Sequence, residues 1–534
     1  MTASHTLSPP RNKLLRAMGT ISLFTLLSRI LGFIRDIVIA QTFGAGMAAD
    51  AFFVAQKIPN FLRRLFAEGA FSSAFVPIFS DYLSSDQESE TRRAVEAIFT
   101  YLTFILVLVV LTGQIFMPYL MYLIAPGFMD DAEKYTLTVD LTRITFPYIL
   151  FISLVSLSGG ILNSYDRFAL TAATPILLNV CLIFGALILS PLFDRPAVGL
   201  AVGILLGGII QLALQFPALK RIGLPFRWRW EPGHPAIKRI LTLMGPSIFG
   251  VSVSQVNLLF DVFIASWLPA GSISYLYYAD RLVEFPLGLV GIALGTAILP
   301  ALSLKASKGD IEGLKTELIF ALRITLILNI PATVGLIVLR EPILAMLFER
   351  GAFDATNTQA TAQALIAYGL GLVAFSSIKV IAPAFFALKD TRTPVRVAML
   401  CMLSNMVLNV ALMFPLKHTG LALATTLAAF LNSGLLLYFL HRKLQLQLIK
   451  GILPTLLKTT LASTAMAAFL IWSQNYFWYN ELSRTKQGLI LTVIIMIGLG
   501  IFLLAARLIG MTEIVALLKL LKRSSAKKQS QPQP

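Results

Sequence analysis

Charged side chains interrupt two long apolar stretches near the start of this 534-residue chain. Between positions 21 and 80 the charged residues are Arg29, Arg35, Asp36, Asp50, Lys57, Arg63, Arg64 and Glu68. In a lipid bilayer each such charge costs roughly 2.5–3.5 kcal/mol even on the lenient insertion scale, so it must be paired or reach water. These residue types therefore indicate either ion pairs between helices or the binding of a charged group inside a membrane.

The composition indicates an integral membrane protein. Hydrophobic residues make up 57% of the chain and charged residues only 13%, and the mean hydropathy of +0.78 lies outside the range of soluble domains. The net charge is +17, but the basic residues lie between apolar segments and at the ends, so we expect no nucleic-acid partner. Two cysteines in apolar segments and four scattered histidines predict neither a disulfide framework nor a metal site.

The elements that position these charges are long apolar helices. About fourteen segments can span roughly 30 Å of hydrocarbon at 1.5 Å per residue. They cover residues 15–41, 50–80, 94–124, 136–163, 169–192, 197–220, 237–267, 272–304, 314–347, 358–387, 393–415, 419–441, 452–474 and 486–508. Loops after even-numbered segments are basic, which predicts that both termini are cytoplasmic. The first segment lacks a cleavage site and is interpreted as an uncleaved helix.

An internal repeat divides the predicted helices into two lobes. AADAFFVAQKIPNF at 48–61 resembles SISYLYYADRLVEF at 272–285, and Asp166 and Asp390 keep the same offset of 224 residues (272 − 48). Six helices in each copy give both copies the same orientation, as in transporters built from parallel repeats. The predicted all-α polytopic fold has an N-lobe at 1–225, a C-lobe at 226–446, helices 13 and 14 at 447–512, and a basic, disordered cytoplasmic tail at 513–534.

Local spacing predicts partners for some of the intramembrane charges. Arg29 and Asp36 share a helix face, Arg64 and Glu68 are four residues apart, and Arg281 and Glu284 are three apart. No such partner is predicted for the two remaining arginines, Arg35 and Arg63.

Two interpretations of the charges follow. The charges are structural ion pairs between helices, or four arginines line a water-filled cavity between the lobes and bind an anion. Guanidinium groups suit bidentate phosphate recognition. The four candidate anion ligands are Arg29, Arg35, Arg63 and Arg281.

Motifs for covalent or nucleotide chemistry are absent from the sequence. It has no phosphate loop, no dinucleotide fingerprint that opens a helix, and no zinc-protease or nucleophile-elbow motif, so we predict a non-enzymatic protein without a cofactor. Coupling to Na⁺, to protons or to the membrane potential is open. The polar residues that could hold such an ion are Asp261, Asn405, Asn409 and Thr425. Packing hydrogen bonds are the alternative role of the asparagines.

Four stretches carry a resemblance to a known family. They are SRILGFIRD at 28–36, FGAGMAADAFFVAQKIPNFLRRLFAEGAFSSAFVPIFS at 43–80, GPSIFGVSVSQ at 245–255 and YYADRLVEFPLG at 277–288. These stretches resemble the MurJ (MviN) family, the lipid II flippases of peptidoglycan synthesis, in the superfamily that also holds the multidrug MATE exporters. The resemblance implies a fourteen-helix, two-lobe fold with a cationic central cavity that opens alternately to either side.

The resemblance also implies roles for particular residues. The essential arginines of the family fall on Arg29, Arg35, Arg63 and Arg281, and its important acidic position falls on Asp50. Two further motif positions are Glu68 and Glu284. Helices 13 and 14 would add a groove for the polyprenyl tail of the substrate.

The predicted substrate is lipid II, an undecaprenyl-diphosphate-linked muropeptide. The protein is predicted to be a monomer that crosses the bacterial inner membrane several times. Its other predicted partners are membrane lipids and the cell-wall synthesis machinery. Three alternatives are open: a MATE-like exporter of small molecules, a flippase for another polyprenyl-diphosphate-linked saccharide, and a membrane-embedded enzyme. A guanidinium-lined cavity argues against export of cationic drugs. Short loops argue against an enzyme with a catalytic periplasmic domain.

Overall fold

The computed structural model of this chain is built from helices. It describes residues 11–64, 71–85, 87–477, 483–511 and 513, and for 11–18, 246–254 and 448–449 it describes the backbone alone. Within these residues ten helices are long and apolar enough to cross a membrane. The predicted multi-pass membrane protein is therefore confirmed, whereas the count of about fourteen crossings stays a prediction.

The chain forms two compact units, and the first holds residues Met1–Ser274 with Arg350–Phe353. Its helices are α1 (Arg11–Phe43), α2 (Met47–Leu62), α3 (Ser72–Ser84), α4 (Glu88–Ile124), α5 (Ala132–Thr145), α6 (Tyr148–Ser164), α7 (Phe168–Phe184), α8 (Ala197–Arg221) and α9 (Pro235–Ala265). The stretch predicted as one helix at 50–80 thus begins as α2 and ends as α3, on either side of residues 65–70.

Small residues let α7 and α8 approach closely in the first unit. Gly199, Gly203 and Gly207 recur at intervals of four along α8. A Cβ atom added to Gly203 would lie 2.8 Å from the carbonyl oxygen of Cys181 on α7. Association of helices in lipid depends on such close van der Waals packing, because lipid tails are as apolar as the side chains. Stacked rings of Phe71, Phe75 and Phe79, with centroids 5.5 and 5.3 Å apart, fill the core beside α3.

The second unit holds residues Tyr275–Glu349 and Asp354–Pro534. Its helices are α10 (Ser272–Pro286, whose first turn belongs to the first unit), α11 (Ala293–Ser307), α12 (Ile311–Val338), α13 (Arg340–Leu347), α14 (Ala355–Ala387), α15 (Arg392–Leu444), α16 (Leu448–Phe477) and α17 (Arg484–Leu508). The predicted helices at 393–415 and 419–441 lie within α15, which is kinked at Lys417, where φ is 50° and ψ is −133°.

The two helices predicted outside the repeat are α16 and α17, which pack on each other and contribute to a core that includes α12. The unit boundary at Ser274 differs from the predicted lobe boundary at 225, because α9 packs on α3 and α4. The division into lobes at 225, 446 and 512 stays a prediction about the repeat. Residues 514–534 of the predicted tail lie outside the described residues.

Candidate functional site

Arg35 lies on α1 in a small polar cluster that crosses to α7. Its Nε and Nη2 atoms donate to Asp36 Oδ1 at 2.9 and 2.7 Å, and its Nη1 donates to Asn179 Oδ1 at 3.0 Å. Asn179 Nδ2 in turn donates to the carbonyl oxygen of Ser28 at 3.0 Å. The Arg35 side chain is 12% exposed, so this pair is largely removed from solvent. The expectation that Arg35 has no local partner was therefore wrong.

Arg29 is exposed and lies on α1 about 1.7 turns before Arg35. Within the described part of the chain its side chain makes no ion pair and no hydrogen bond, and Asp36 pairs with Arg35 instead. The predicted pairing of Arg29 with Asp36 was wrong, because Asn179 from α7 holds the Arg35 guanidinium against the carboxylate. Among the described residues, no carboxylate therefore neutralises the charge of Arg29.

The end of α2 carries the next two arginines. Arg63 Nε donates to Asn60 Oδ1 at 3.3 Å, a contact between its guanidinium and the preceding turn of its own helix. Arg64 is exposed. Glu68 lies outside the described residues, so its pairing with Arg64 and its predicted role stay predictions.

Asp50 is completely buried near the start of α2 and accepts four hydrogen bonds. Oδ2 accepts from Lys134 Nζ at 3.1 Å and from the Gly271 N–H at 2.7 Å. Oδ1 accepts from the N–H and the hydroxyl of Ser274 at 2.9 and 2.7 Å. Its negative charge lies at the backbone N–H groups where α10 begins, the end of a helix that favours anions. The predicted substrate-binding role of Asp50 is untested by these contacts.

Lys134 is the residue that sequence reasoning missed in this network. Its side chain is 6% exposed, and its ammonium also lies 4.0 Å above the ring of Phe128. An ion pair that is buried costs desolvation of both charges, so it depends on the surrounding hydrogen bonds. The sequence offered little signal for it, because Asp130, Asp131 and Glu133 directly precede Lys134 and are nearer candidate partners than Asp50.

In the second unit, Arg281 pairs with Glu284 as their spacing predicts. The Nη1–Oε2 distance is 2.6 Å, and Nη2 donates to the hydroxyl of Tyr277 at 3.2 Å. The guanidinium also lies 4.8 Å from the centroid of the Tyr277 ring, a cation–π contact. Both partners are partly exposed, at 34% and 49%. The approach of Arg281 to Arg29, Arg35 and Arg63 in one cavity stays a prediction.

The polar residues considered for ion coupling lie on two helices, α9 and α15. On α15, Asn409 Nδ2 donates to Asn405 Oδ1 at 3.1 Å, and both residues are buried. Thr425 donates to the Leu421 carbonyl oxygen of the same helix at 3.1 Å, and Asp261 on α9 accepts from Asn257 at 3.4 Å. An ion site formed by these four residues stays a prediction.

The helical arrangement defines a class of polytopic membrane transporters. A solved structure titled "Lipid II flippase MurJ, inward closed conformation" matches with a TM-score of 0.75 and 32% identity, over 90% of this chain and 98% of that chain. An inward-facing multidrug resistance MATE family transporter of the MOP superfamily matches with a TM-score of 0.62 over 78% of this chain and 94% of that chain. At 14% identity the second match shows the fold alone.

The sequence narrows the class to one family. The family model described as "Lipid II flippase MurJ" matches residues 39–493. A relative from Vibrio cholerae serotype O1, "Probable lipid II flippase MurJ", is 42% identical over 507 residues, which are 93% of this chain and 96% of the relative. The chain belongs to the lipid II flippase MurJ family, whose members are transporters rather than enzymes.

Proposed function

We propose that this protein translocates lipid II across the bacterial inner membrane. The observation that carries the proposal is the match to the lipid II flippase family over residues 39–493, together with 42% identity to a relative over nearly its whole length. A diphosphate joined to a large polar head cannot cross hydrocarbon unaided. The protein must therefore offer it a hydrated, positively charged path while the polyprenyl tail stays in lipid.

The first unit supplies two cations of different character to such a path. Arg29 is exposed and carries a full positive charge that no described carboxylate neutralises. Arg35 is pre-positioned by Asp36 and Asn179, because all three nitrogens of its guanidinium donate hydrogen bonds within that cluster. We therefore assign Arg29 to attraction of the diphosphate and Arg35 to its oriented hydrogen bonding, in which a fixed fork loses little entropy.

Alternating access of two similar lobes completes the proposal, with Arg63, Arg281 and the acidic positions Asp50, Glu68 and Glu284 at the substrate path. No cofactor is needed for such a movement. Energy would come from Na⁺ or H⁺ bound at Asp261, Asn405, Asn409 and Thr425, or from the membrane potential acting on a moved charge. The protein would act as a monomer with both termini in the cytoplasm, beside membrane lipids and the cell-wall synthesis machinery.

A depletion strain that lacks its own flippase tests the function. The wild-type chain should restore growth, and Arg29→Ala should fail to do so although the protein accumulates in the membrane. Arg29→Lys keeps the charge and should restore partial growth, because it lacks the bidentate fork. Arg195→Ala is the matched control, since it removes another exposed arginine, which pairs with Asp140 at the surface.

Growth restored by Arg29→Ala would refute the cationic path, and failure of the wild-type chain would count against the function itself. Vesicles distinguish the remaining substrates. Purified protein that flips a different polyprenyl-diphosphate saccharide but not lipid II would favour the broader flippase, and efflux of cationic drugs would favour a MATE-like exporter.

A further inference from the structure

The segment between α8 and α9, residues 222–234, lies along α4 through a series of aromatic contacts. Phe226 stacks on Phe99 with ring centroids 4.3 Å apart and planes within 12°. Trp228 also contacts Phe99, at 5.5 Å, and Trp230 meets Phe104 edge to face at 5.0 Å. These contacts fix an otherwise irregular segment, because each aromatic pair adds about 0.5–1.5 kcal/mol beyond area burial.

Polar contacts attach the same segment to α4. The Arg229 N–H donates to Thr100 Oγ1 at 2.8 Å, and Arg229 Nε donates to Glu96 Oε2 at 3.0 Å. Arg93 Nε donates to Glu231 Oε2 at 2.9 Å. The Arg93 partnership also lowers the pKa of the Glu231 carboxyl. The segment is therefore held in place at two positions, Arg229 and Glu231.

An apolar cavity of about 460 Å³ lies between the segment and α4. Its volume is within the range of about 300–1,000 Å³ that is typical of ligand pockets. Its lining residues are Thr100, Thr103, Phe104, Val107, Trp228 and Trp230. Trp228 and Trp230 are 70% and 61% exposed, an arrangement typical of indole rings at a membrane interface.

Three exposed basic residues lie close in sequence to Trp228 of the cavity. Lys220 and Arg221 end α8, and Arg227 immediately precedes Trp228. Across the residues that the structure describes, none of their three side chains makes an ion pair or a hydrogen bond. Phe216 of α8 contacts Phe226, so the end of α8 lies beside the segment. An apolar cavity whose lining segment also carries exposed basic side chains complements one acyl chain and one phosphate.

We propose that this cavity is a binding site for an anionic glycerophospholipid of the surrounding bilayer. One acyl chain lies against Phe104, Val107 and the two tryptophans, and the phosphate lies at Lys220, Arg221 and Arg227. The site requires only that the protein spans a membrane, so it is independent of the transported substrate. It has no part in the candidate path at Arg29 and Arg35.

Photolabelling tests the site. The full-length protein is placed in nanodiscs with phosphatidylglycerol or phosphatidylcholine that carries a diazirine on one acyl chain, and the labelled peptides are identified by mass spectrometry. Phosphatidylglycerol should label the peptides around Val107 and Trp228 preferentially. Val107→Trp fills the cavity and should abolish that labelling. Leu108→Trp is its matched control, because Leu108 is 55% exposed on the same helix and does not line the cavity.

The charge variants test the head group. Replacing Lys220, Arg221 and Arg227 by glutamine should lower the preference for phosphatidylglycerol by about fivefold for each charge removed. Arg195→Gln, a surface change elsewhere, should leave the preference unaltered. The proposal would be overturned by equal labelling with both lipids or by labelling that survives Val107→Trp. It would also be overturned if lipid II at equal concentration displaced the label, because the cavity would then bind a polyprenyl tail.

Discussion

Asp50 and Lys134 form a buried ion pair in which the two side chains have unequal numbers of other partners, so their replacement should affect stability unequally. Asp50 accepts four hydrogen bonds, of which Lys134 donates one. Within the described residues, Lys134 Nζ has only Asp50 and the face of the Phe128 ring. Loss of the carboxylate leaves a buried ammonium on an aromatic ring, whereas loss of the ammonium leaves a carboxylate with three donors.

This asymmetry sets the expected magnitudes. Asp50→Leu should lower the free energy of unfolding by about 3–5 kcal/mol, the usual cost of an unpaired buried charge. Lys134→Met should cost less, about 1.5–3 kcal/mol, which is the range for one hydrogen bond to a charged group. The double variant should cost less than the sum of the two, because it leaves neither charge buried alone.

Denaturant titration of the purified protein in detergent measures these differences, with unfolding followed by circular dichroism. Arg195→Gln is the control, since its pair with Asp140 is 50% and 43% exposed and should contribute below about 1 kcal/mol. Additive losses in the double variant, or a larger loss from Lys134→Met than from Asp50→Leu, would refute the assignment of the pair as a coupled buried network.

Three further predictions concern the scaffold. The backbone N–H of Thr393, with Lys443, lowers the pKa of Asp390 from 3.8 to about 2, so its stabilisation is complete above pH 3.8 and is lost as the pH falls towards 2. Melting temperatures of Asp390→Asn and wild type should therefore differ at pH 7 and converge near pH 2. Gly44→Ala should cost about 1–3 kcal/mol in unfolding titrations, because φ is +63° and the added methyl would overlap the Ala352 carbonyl oxygen. Gly203→Leu should separate α7 from α8 and reduce the yield of monodisperse protein in size-exclusion chromatography, since even a Cβ atom lies within 2.8 Å of a carbonyl oxygen.

Much of the helical scaffold could be predicted from the sequence, because long apolar runs determine where helices lie. The pair of Arg281 and Glu284 was predictable for the same local reason, since three residues along a helix bring side chains together. The contact of Arg35 with Asn179 and the pair of Asp50 with Lys134 were not, because these partners lie 144 and 84 residues apart in the chain. Only packing of α1 on α7 and of α2 on α5 creates those contacts.

The kink at Lys417 illustrates the opposite case. Two helices were predicted at 393–415 and 419–441, and the backbone leaves helical angles between them at Lys417. The hydropathy pattern located the kink in α15, but it carried no information on the backbone angles that produce the kink.

Binding of lipid II to the purified protein, with and without Arg29, tests the central claim most directly. Wild type and Arg195→Gln should bind lipid II with equal affinity in nanodiscs, and Arg29→Ala should bind at least about tenfold more weakly. The free energy of unfolding of Arg29→Ala should stay within about 0.5 kcal/mol of wild type, as expected for an exposed residue. Unchanged affinity of Arg29→Ala for lipid II would contradict the account.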